Sequence, residues 1–382
     1  MSAWYFAYFA FIGAFLPYFA LYLDDAGLTP AEIGIVMAVG QVMRLAAPLA
    51  WGWLSDRDGR RVPVLRISAL ASALAFSVYF LPLQFAGFLL ASILLHFFWS
   101  GALPLAEALT FAHLRDRPEA YGRIRLWGSV GFIVAVLSIG WLLDHAPISA
   151  LLWASAAVLW VLVIVTLRLS EASSAVGRPA TDSLASSGLD GRALALLAAG
   201  FFMAAAHGPL YVFFSIYLVD NGYSTTLAGG LWSLGVIAEI LVFLAMPRLG
   251  RRFSLRGLLL FAFALAVIRF LMIGWGVGTL AILILAQLMH AATFGIHHAV
   301  SVAAFHHWFP PSRQGKVQAL YGATSFGAGG IAGAVMAGQC WSDPGPAATF
   351  TLAALLAAAG AAVSLLGIPA GERLHRGPTP VT

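Results

Sequence analysis

The chain has one cysteine, one lysine and few charged residues of any kind. The single cysteine, Cys340, excludes an intrachain disulfide and a cluster of thiolate metal ligands. Charged residues make up only 10% of the 382 residues, whereas hydrophobic residues make up 61% and mean hydropathy is +0.89. A soluble globular domain is about 25% charged. The composition therefore excludes a soluble domain and indicates an integral membrane protein.

Apolar runs recur along the whole chain, and each is long enough to cross a bilayer, which takes roughly 20 helical residues. Lipid offers no partner for unpaired backbone groups, so these runs must be α-helices. We therefore predict an all-α integral membrane protein. The predicted spans are 4–23, 32–54, 64–81, 85–112, 121–143, 150–169, 193–219, 226–247, 256–275, 278–305, 316–340 and 347–368.

The basic residues lie on alternate connectors between these spans. Eighteen of the twenty-one Lys and Arg residues fall in every second connector or in the tail, and the intervening connectors have none. Basic loops stay in the cytoplasm, so we predict an even number of spans with both termini cytoplasmic. The arginines are responsible for the pI of 9.6. Because they lie in short loops that set the topology, we expect no nucleic-acid partner.

The two halves of the chain repeat each other. A shift of 195 residues aligns 22–40 with 217–235 with six identities in nineteen positions, and a shift of 194 aligns LLHFFWSG with LMHAATFG. Parallel six-helix repeats are known in secondary transporters. We predict two pseudo-symmetric six-helix bundles, 1–169 and 192–369. A Ser-, Ala- and Gly-rich cytoplasmic linker at 170–191 joins them, and 370–382 forms a cytoplasmic tail.

Charged side chains inside the predicted spans each need a reason, because one at the helix centre costs at least about 2.5–3.5 kcal/mol. The bland interpretation is that they are ion pairs tying helices together. The number of such residues at similar depths favours a hydrated central cavity. They are Arg44, Glu107, Arg125, Glu239 and Arg269, together with His96, His207, His290, His297 and His298.

The spacing of these residues predicts which of them meet. Glu107 and Arg125 each lie nine residues from the middle of their connector, which places both about 13 Å from the turn. Arg269 and His290 have a similar relation around the connector GVGT, since each lies about ten residues from its midpoint. Arg44 and Glu239 match under the 195-residue shift. The surplus of arginine suits an anionic, carboxylate substrate.

Helical spacing in the tenth span predicts one polar face. His290, Phe294, His297 and Ser301 recur at intervals of three and four residues, so we expect them to share a side of the helix. Glycines of the eleventh span should allow close helix contact. They are Gly322, Gly327, Gly329, Gly330 and Gly333.

The loop after the second span resembles the signature of the major facilitator superfamily. Residues 52–61, GWLSDRDGRR, match G-x-L-x-D-R-x-G-R-R at every fixed position. The resemblance implies the major facilitator fold and a cytoplasmic latch made of Asp56 and nearby arginines. The second half has a decayed copy in which Arg251 replaces the aspartate, so only the first half should carry a full latch. The implied latch residues are Gly52, Asp56, Arg57, Gly59, Arg60 and Arg61.

Residues 121–132, YGRIRLWGSVGF, are similar to the fifth helix of the lactose permease and its oligosaccharide–proton symporter relatives. The likeness implies that Arg125 and Glu107 bind substrate and that Arg269 and His290 take part in proton coupling. That permease has a glutamate three residues beyond the histidine, where Thr293 stands here. We therefore assign the proton to Glu239.

Blocks spread over most of the chain resemble the 3-phenylpropionate transporter group, including FFWSGALPLAEAL and HGPLYVFFSIYL. The resemblance implies a transporter, not an enzyme, that moves a small carboxylic acid with a proton across a bacterial inner membrane by alternating access. We expect no metal or cofactor and a monomer in the lipid bilayer. Substrate contacts are assigned to Glu107, Arg125, Arg44 and His207.

The sequence leaves other functions open. A neutral sugar or nucleoside could be the cargo, and transport could run outward. A histidine-metal membrane enzyme would need carboxylate or histidine clusters at short spacing, and the sequence offers only HH pairs. A sensing receptor would carry a signalling domain, for which the sequence shows no segment.

Overall fold

In the computed structural model, residues 1–58, 60–114, 117–172 and 189–373 are described, and this part of the chain is helical without a β-strand. Twelve helices follow one another, and short turns or loops separate them wherever the connection is described. They are α1 (Ser2–Asp25), α2 (Pro30–Asp58), α3 (Val62–Phe80), α4 (Phe85–Leu114), α5 (Tyr121–His145), α6 (Ala150–Leu167), α7 (Gly191–Asp220), α8 (Thr225–Arg252), α9 (Leu255–Gly276), α10 (Leu280–Trp308), α11 (Pro311–Gly322, Ala323–Gly329 and Gly330–Cys340) and α12 (Pro346–Gly367).

The predicted number and order of helices are confirmed. Eleven of the helices are long and apolar enough to cross a membrane. The helix outside this set, α11, is rich in glycine, which lowers its hydropathy, and its middle segment, Ala323–Gly329, is a π turn. The observed boundaries differ from the predicted ones by a few residues, mainly because helices such as α8 and α11 continue into the loops that carry the arginines.

The sequence repeat is confirmed in the turns after α1 and α7. Gly27 and Gly222, which are 195 residues apart, have positive φ angles of 85° and 83°. Their N–H groups donate to the carbonyls of Asp24 and Val219, both at 2.9 Å. Glycine adopts this backbone conformation without the steric penalty that other residues incur. The same turn therefore ends the first helix of each half.

The helices that follow these turns also begin alike. The Thr29 hydroxyl accepts a hydrogen bond from the N–H of Glu32 at 3.4 Å, and the Ser224 hydroxyl accepts one from Leu227 at 3.1 Å. A hydroxyl at this position stabilises a helix start by satisfying an N–H group that lacks a partner within the helix. The repeat thus reproduces local structure as well as residue identity.

Glycines allow α1 to pack closely on α5, and α7 on α11. A methyl group at Gly131 would clash with the backbone carbonyl of Phe6, and one at Gly329 would lie 2.5 Å from the carbonyl of Phe201. Phe6 and Phe201 are again 195 residues apart. The prediction for α11 is confirmed at Gly329, whereas Gly322 faces open space with no atom within 4 Å of such a methyl group.

The chain divides into two compact units, Met1–Arg178 with Tyr211–Ser233, and Pro179–Leu210 with Leu234–Thr382. The first unit has a core cluster that includes Ala14, Tyr18, Val136 and Leu151. Most of the predicted linker lies outside the described residues, and the predicted boundaries 1–169, 170–191, 192–369 and 370–382 stay predictions. The division itself places the first part of α8 with the first unit and the rest with the second.

Candidate functional site

A fully buried arginine, Arg269 on α9, organises the polar interior of the second unit. Its side chain is 0% exposed, and its guanidinium nitrogens contact four side chains and one carbonyl. An arginine offers five N–H donors in a rigid planar fork, so a surrounding set of acceptors holds it in one orientation. The contacts are Ala286 O (2.8 Å), Thr293 Oγ1 (3.0 Å), His290 Nδ1 (3.1 Å), Gln287 Oε1 (3.1 Å) and His207 Nε2 (3.3 Å).

Two residues of this cluster were not predicted from the sequence, Gln287 and Thr293. Gln287 lies three residues before His290, so the two share a helix face and that spacing was an available signal. Thr293 was noted only as the residue replacing a glutamate. The structure shows that its hydroxyl accepts from Arg269 and contacts His207 Nε2 at 3.3 Å.

Glu239 on α8 reaches the same cluster through a histidine. Its Oε2 atom lies 3.8 Å from Nε2 of His290, and the Glu239 side chain is 20% exposed. The other ring nitrogen of His290 contacts Arg269. Glu239, His290 and Arg269 therefore follow one another through space, with the carboxylate at the more accessible end.

His207 lies where α7 is interrupted. Its neighbours are the end of one helical segment at Ala206 and the start of the next at Gly208, and its Nδ1 contacts the carbonyl of Met203 at 2.8 Å. Pro209 follows, which has no N–H to continue the hydrogen-bond ladder. The sequence assigned His207 to substrate with Glu107, Arg125 and Arg44. In the structure its Nε2 atom contacts Arg269, and the substrate role stays a prediction.

A π turn, Ala291–Ile296, lies within the polar side predicted for α10. His290 stacks on Phe294 with ring centroids 5.5 Å apart, and Phe294 stacks on His298 at 5.8 Å. His297 instead meets Phe263 edge-to-face at 5.3 Å. Phe263 and Arg269, which contacts His290, both lie on α9. That His290, Phe294, His297 and Ser301 share one side of α10 stays a prediction.

In the first unit, Arg125 lies against aromatic rings. Its guanidinium carbon is 4.0 Å from the centroid of the Phe9 ring and 5.9 Å from that of Tyr5. No described residue accepts a hydrogen bond from Arg125. The residue is only half-buried, which is compatible with access of a ligand to these donors.

Glu107 lies near Arg125 without forming an ion pair with it within 4.0 Å. One carboxylate oxygen, Oε1, accepts a hydrogen bond from the Tyr121 hydroxyl at 3.1 Å. Both charged groups act electrostatically on Tyr5. Both charged groups therefore lie within electrostatic reach of the same residue, as their spacing predicted.

Arg44 on α2 is exposed, and its Nη1 contacts Gln41 Oε1 at 3.4 Å. It acts electrostatically on the rings of Tyr8 and His96. Tyr8 is also within the electrostatic reach of Glu107 and Arg125. The three charged residues predicted for substrate in the first unit thus all act electrostatically on the same aromatic side chain.

The repeat relates the histidines of α4 and α10. A methyl group at Gly40 would lie 2.9 Å from His96 Nε2, and one at Gly235 would lie 3.3 Å from His290 Cδ2. Each glycine is four residues before the charged residue of its helix. The equivalent positions hold a basic residue beside one histidine and an acidic residue beside the other.

The implied latch is described only in part. The N–H of Arg61 donates to Glu171 Oε1 at 3.1 Å, a partner that sequence reasoning missed. Gly59 and the side chains of Asp56 and Arg57 lie outside the described residues. Of the other two latch residues, Gly52 has no atom within 4 Å of an added methyl group and Arg60 is exposed.

Within the described ranges, no three His, Cys, Asp or Glu side chains converge as metal ligands would. On α10, His297 and His298 contact the aromatic rings of Phe263 and Phe294.

A polar interior built on helices that repeat in parallel is the organisation of the major facilitator superfamily. The model of the MFS_1 like family matches residues 1–352. The chain belongs to this family. It is a multi-pass membrane protein and a secondary transporter of the major facilitator superfamily.

The proteins to which the chain is similar are named for different substrates. The chain is 31% identical over 334 residues to the "Probable 3-phenylpropionic acid transporter" of Escherichia coli (strain K12), with 85% of this chain and 86% of that protein covered. It is 30% identical over 275 residues to the maltose permease of Geobacillus stearothermophilus, with 70% and 68% covered. The crystal structure of the nucleoside transporter NupG (D323A mutant) superimposes with a TM-score of 0.83 at 16% identity over 96% and 98% of the two chains. This last likeness shows the fold alone.

Proposed function

We propose that the protein is a proton symporter for a small organic acid, a phenylpropionate-like or other aromatic carboxylate, working by alternating access in a bacterial inner membrane. The relative with the name of a 3-phenylpropionic acid transporter supports this substrate class. The alternation of basic connectors supports cytoplasmic termini. A proton gradient supplies the energy, and no cofactor is needed.

The observation that carries the proposal is the state of Arg125. Its guanidinium rests on the face of Phe9, and no described residue accepts a hydrogen bond from its N–H groups. A carboxylate matches the guanidinium fork with two parallel hydrogen bonds. The Phe9 ring, which is partly exposed, offers an apolar surface for the rest of an aromatic acid.

The proton is assigned to Glu239. It is a carboxylate inside a membrane helix, 20% exposed, and it lies 3.8 Å from a histidine that contacts Arg269. Intramembrane carboxylates in such positions serve proton relays in transporters. Protonation of Glu239 would remove its charge from the cluster while Arg269 stays cationic.

Uptake into proteoliposomes tests the substrate. Purified protein is assayed with radiolabelled 3-phenylpropionate, maltose and a nucleoside, with and without an inward proton gradient. We expect gradient-dependent accumulation of the aromatic acid and loss of its uptake in Arg125→Gln. Arg125→Lys should raise KM roughly tenfold, since the charge remains but the fork is lost.

The control is Arg123→Gln, which removes an exposed arginine two residues before Arg125 on the same helix. Its KM should equal that of the wild type. Accumulation of maltose or the nucleoside, with no uptake of aromatic acids, would replace the proposed substrate with the sugar or nucleoside class. Uptake of aromatic acid that survives Arg125→Gln unchanged would remove Arg125 from the site.

A further inference from the structure

One side chain of α5 binds the start of α8. The carboxylate of Asp144 accepts the N–H of Thr225 at 2.7 Å on Oδ1 and the N–H of Thr226 at 3.0 Å on Oδ2. The Thr225 hydroxyl lies 2.6 Å from Oδ1 and 2.7 Å from the carbonyl of Gly140, so its proton has two acceptors. The bonds join residues 81 and 82 positions apart in sequence.

These bonds complete the cap of α8. The first N–H groups of a helix have no partner inside it. Ser224 satisfies that of Leu227 from within the chain, and Asp144 satisfies those of Thr225 and Thr226 from another helix. At the equivalent start of α2, the position of Thr225 is taken by Pro30, which has no N–H.

The contact continues along one face of each helix. Thr225, Gly229 and Trp232 are spaced by four and three residues on α8, which places them on one side. A methyl group at Gly229 would lie 2.5 Å from the Tyr18 hydroxyl and 2.7 Å from the Val136 carbonyl. Trp232 packs against the core cluster that contains Tyr18 and Val136.

The other helices present a matching face. Val136, Gly140 and Asp144 follow at intervals of four on α5. A methyl group at Gly140 would lie 2.6 Å from both the Thr225 carbonyl and the Tyr18 hydroxyl. Tyr18 is 0% exposed, and its hydroxyl donates to the Val136 carbonyl at 2.7 Å.

The segment that these contacts hold belongs to a different unit from the chain on either side of it. Tyr211–Ser233 belongs to the first unit, yet both neighbouring stretches of chain, Pro179–Leu210 and Leu234–Thr382, belong to the second. It contains the end of α7, the connector DNGYSTT and the start of α8. The charge pattern predicts that this connector is extracytoplasmic. Alternating access requires that a passage on this side opens and closes.

We propose that Asp144 is a gate residue, which caps α8 when the extracytoplasmic passage is closed and releases Thr225 and Thr226 when it opens. The segment Tyr211–Ser233 then leaves the face formed by Tyr18, Val136 and Gly140. Asp144 is exposed, so the freed N–H groups and carboxylate become hydrated, and the contact can break and re-form. The inference rests on the proposed transport cycle but not on the identity of the cargo.

Thiol labelling tests the gate without any substrate. In a Cys340→Ser background, Ser233→Cys serves as the reporter, because Ser233 is 4% exposed, its hydroxyl has no partner among the described residues, and it lies four residues after Gly229. A membrane-impermeant maleimide is added to the extracytoplasmic face. We expect Asp144→Ala to raise the labelling rate about fivefold, the effect of losing a helix cap on a two-state equilibrium.

Two controls keep the result specific. Asp25→Asn, an exposed acid at the end of α1, should leave the labelling rate unchanged. A second reporter, Ser155→Cys, is 0% exposed on α6, outside the segment Tyr211–Ser233, and it should stay unlabelled unless the Asp144→Ala protein is misfolded. Thr225→Val should act in the same direction as Asp144→Ala with a smaller effect, since the Thr225 N–H bond remains.

A cross-link supplies the complementary test. Asp144→Cys and Thr226→Cys are combined with the reporter Ser233→Cys and joined by a short bifunctional thiol reagent. We expect the cross-link to hold the segment in place, which should suppress labelling of the reporter and stop exchange of substrate. Equal labelling rates in wild type, Asp144→Ala and Thr225→Val, with Ser155→Cys unlabelled, would overturn the gate. Absence of uptake for every substrate, with the labelling differences intact, would instead count against the proposed function alone.

Discussion

At the scale of single residues, two arginines of the membrane helices differ in what surrounds their guanidinium groups. Arg269 is fully buried and contacts His207 on α7 and several acceptors on α10, including the backbone carbonyl of Ala286. Arg125 rests on an aromatic face without a hydrogen-bond acceptor among the described residues. A buried charge with a complete set of partners holds structure, whereas one with open donors suits a ligand.

The difference predicts that substitution by lysine affects thermal stability at one arginine and not at the other. Arg269→Lys replaces five donors by three on a flexible stem, which leaves groups such as Gln287 Oε1 without a donor. Each buried polar group left unsatisfied costs about 1–3 kcal/mol, so we expect a lower midpoint of thermal unfolding for the purified protein. Arg125→Lys is the matched control and should change the midpoint little. An equal loss in both variants would contradict the distinction.

At the scale of helices, close packing of pairs related by the repeat depends on particular glycines. α1 meets α5 at Gly131, and α7 meets α11 at Gly329, with the carbonyls of Phe6 and Phe201 in the way of any side chain. The backbones approach closely because membrane helices associate by packing and not by the hydrophobic effect. Two interruptions are also related by the repeat. α4 is interrupted at Gly101, and the π turn of α10 contains Gly295, which aligns with Gly101 under the 194-residue shift.

A glycine pair within α11 tests this packing. Gly329→Ala should destabilise the protein by about 1–3 kcal/mol, because the added methyl group meets the Phe201 backbone, which cannot move aside. Gly322→Ala, in the same helix with no neighbour within 4 Å, should be neutral or slightly stabilising. Thermal unfolding in detergent measures both. If Gly322→Ala were the more harmful of the two, the described packing of α7 on α11 would be wrong.

At the scale of the whole molecule, the charges of the repeat are not equivalent. Position 44 of the first half is basic and position 239 of the second is acidic, although each lies four residues after the glycine that faces a histidine. A symmetric scaffold therefore carries a cationic group in one unit and a carboxylate in the other. This asymmetry is the physical basis for assigning substrate to the first unit and the proton to the second.

The assignment predicts a separation of exchange from accumulation. Glu239→Gln keeps the size of the side chain and removes its ability to bind and release a proton, so we expect intact counterflow of substrate and no uphill uptake in energised vesicles. Glu119→Gln, an exposed residue of the loop before α5, is the control and should retain both activities. Full accumulation by Glu239→Gln would take Glu239 out of the coupling role.

Much of the site could be anticipated from residue types, but not its partners. The spacing around the connectors brought Arg269 to His290 correctly, since two antiparallel helices place equal distances from a turn at equal depth. The same reasoning could not show that Tyr121 binds Glu107 or that His207 turns toward Arg269. It also assumed an unbroken α-helix in α10, where the structure has a π turn at Ala291–Ile296.

The number of helices, their order and the repeat of the two halves follow from the sequence by itself, because hydrophobic length, loop charge and turn glycines act on residues close together in the chain. The partners of Arg269, the open donors of Arg125 and the cap that Asp144 forms on α8 were decided only by the tertiary structure. These contacts join helices distant in sequence, and a rotation of one helix by a single residue would exchange one partner for another.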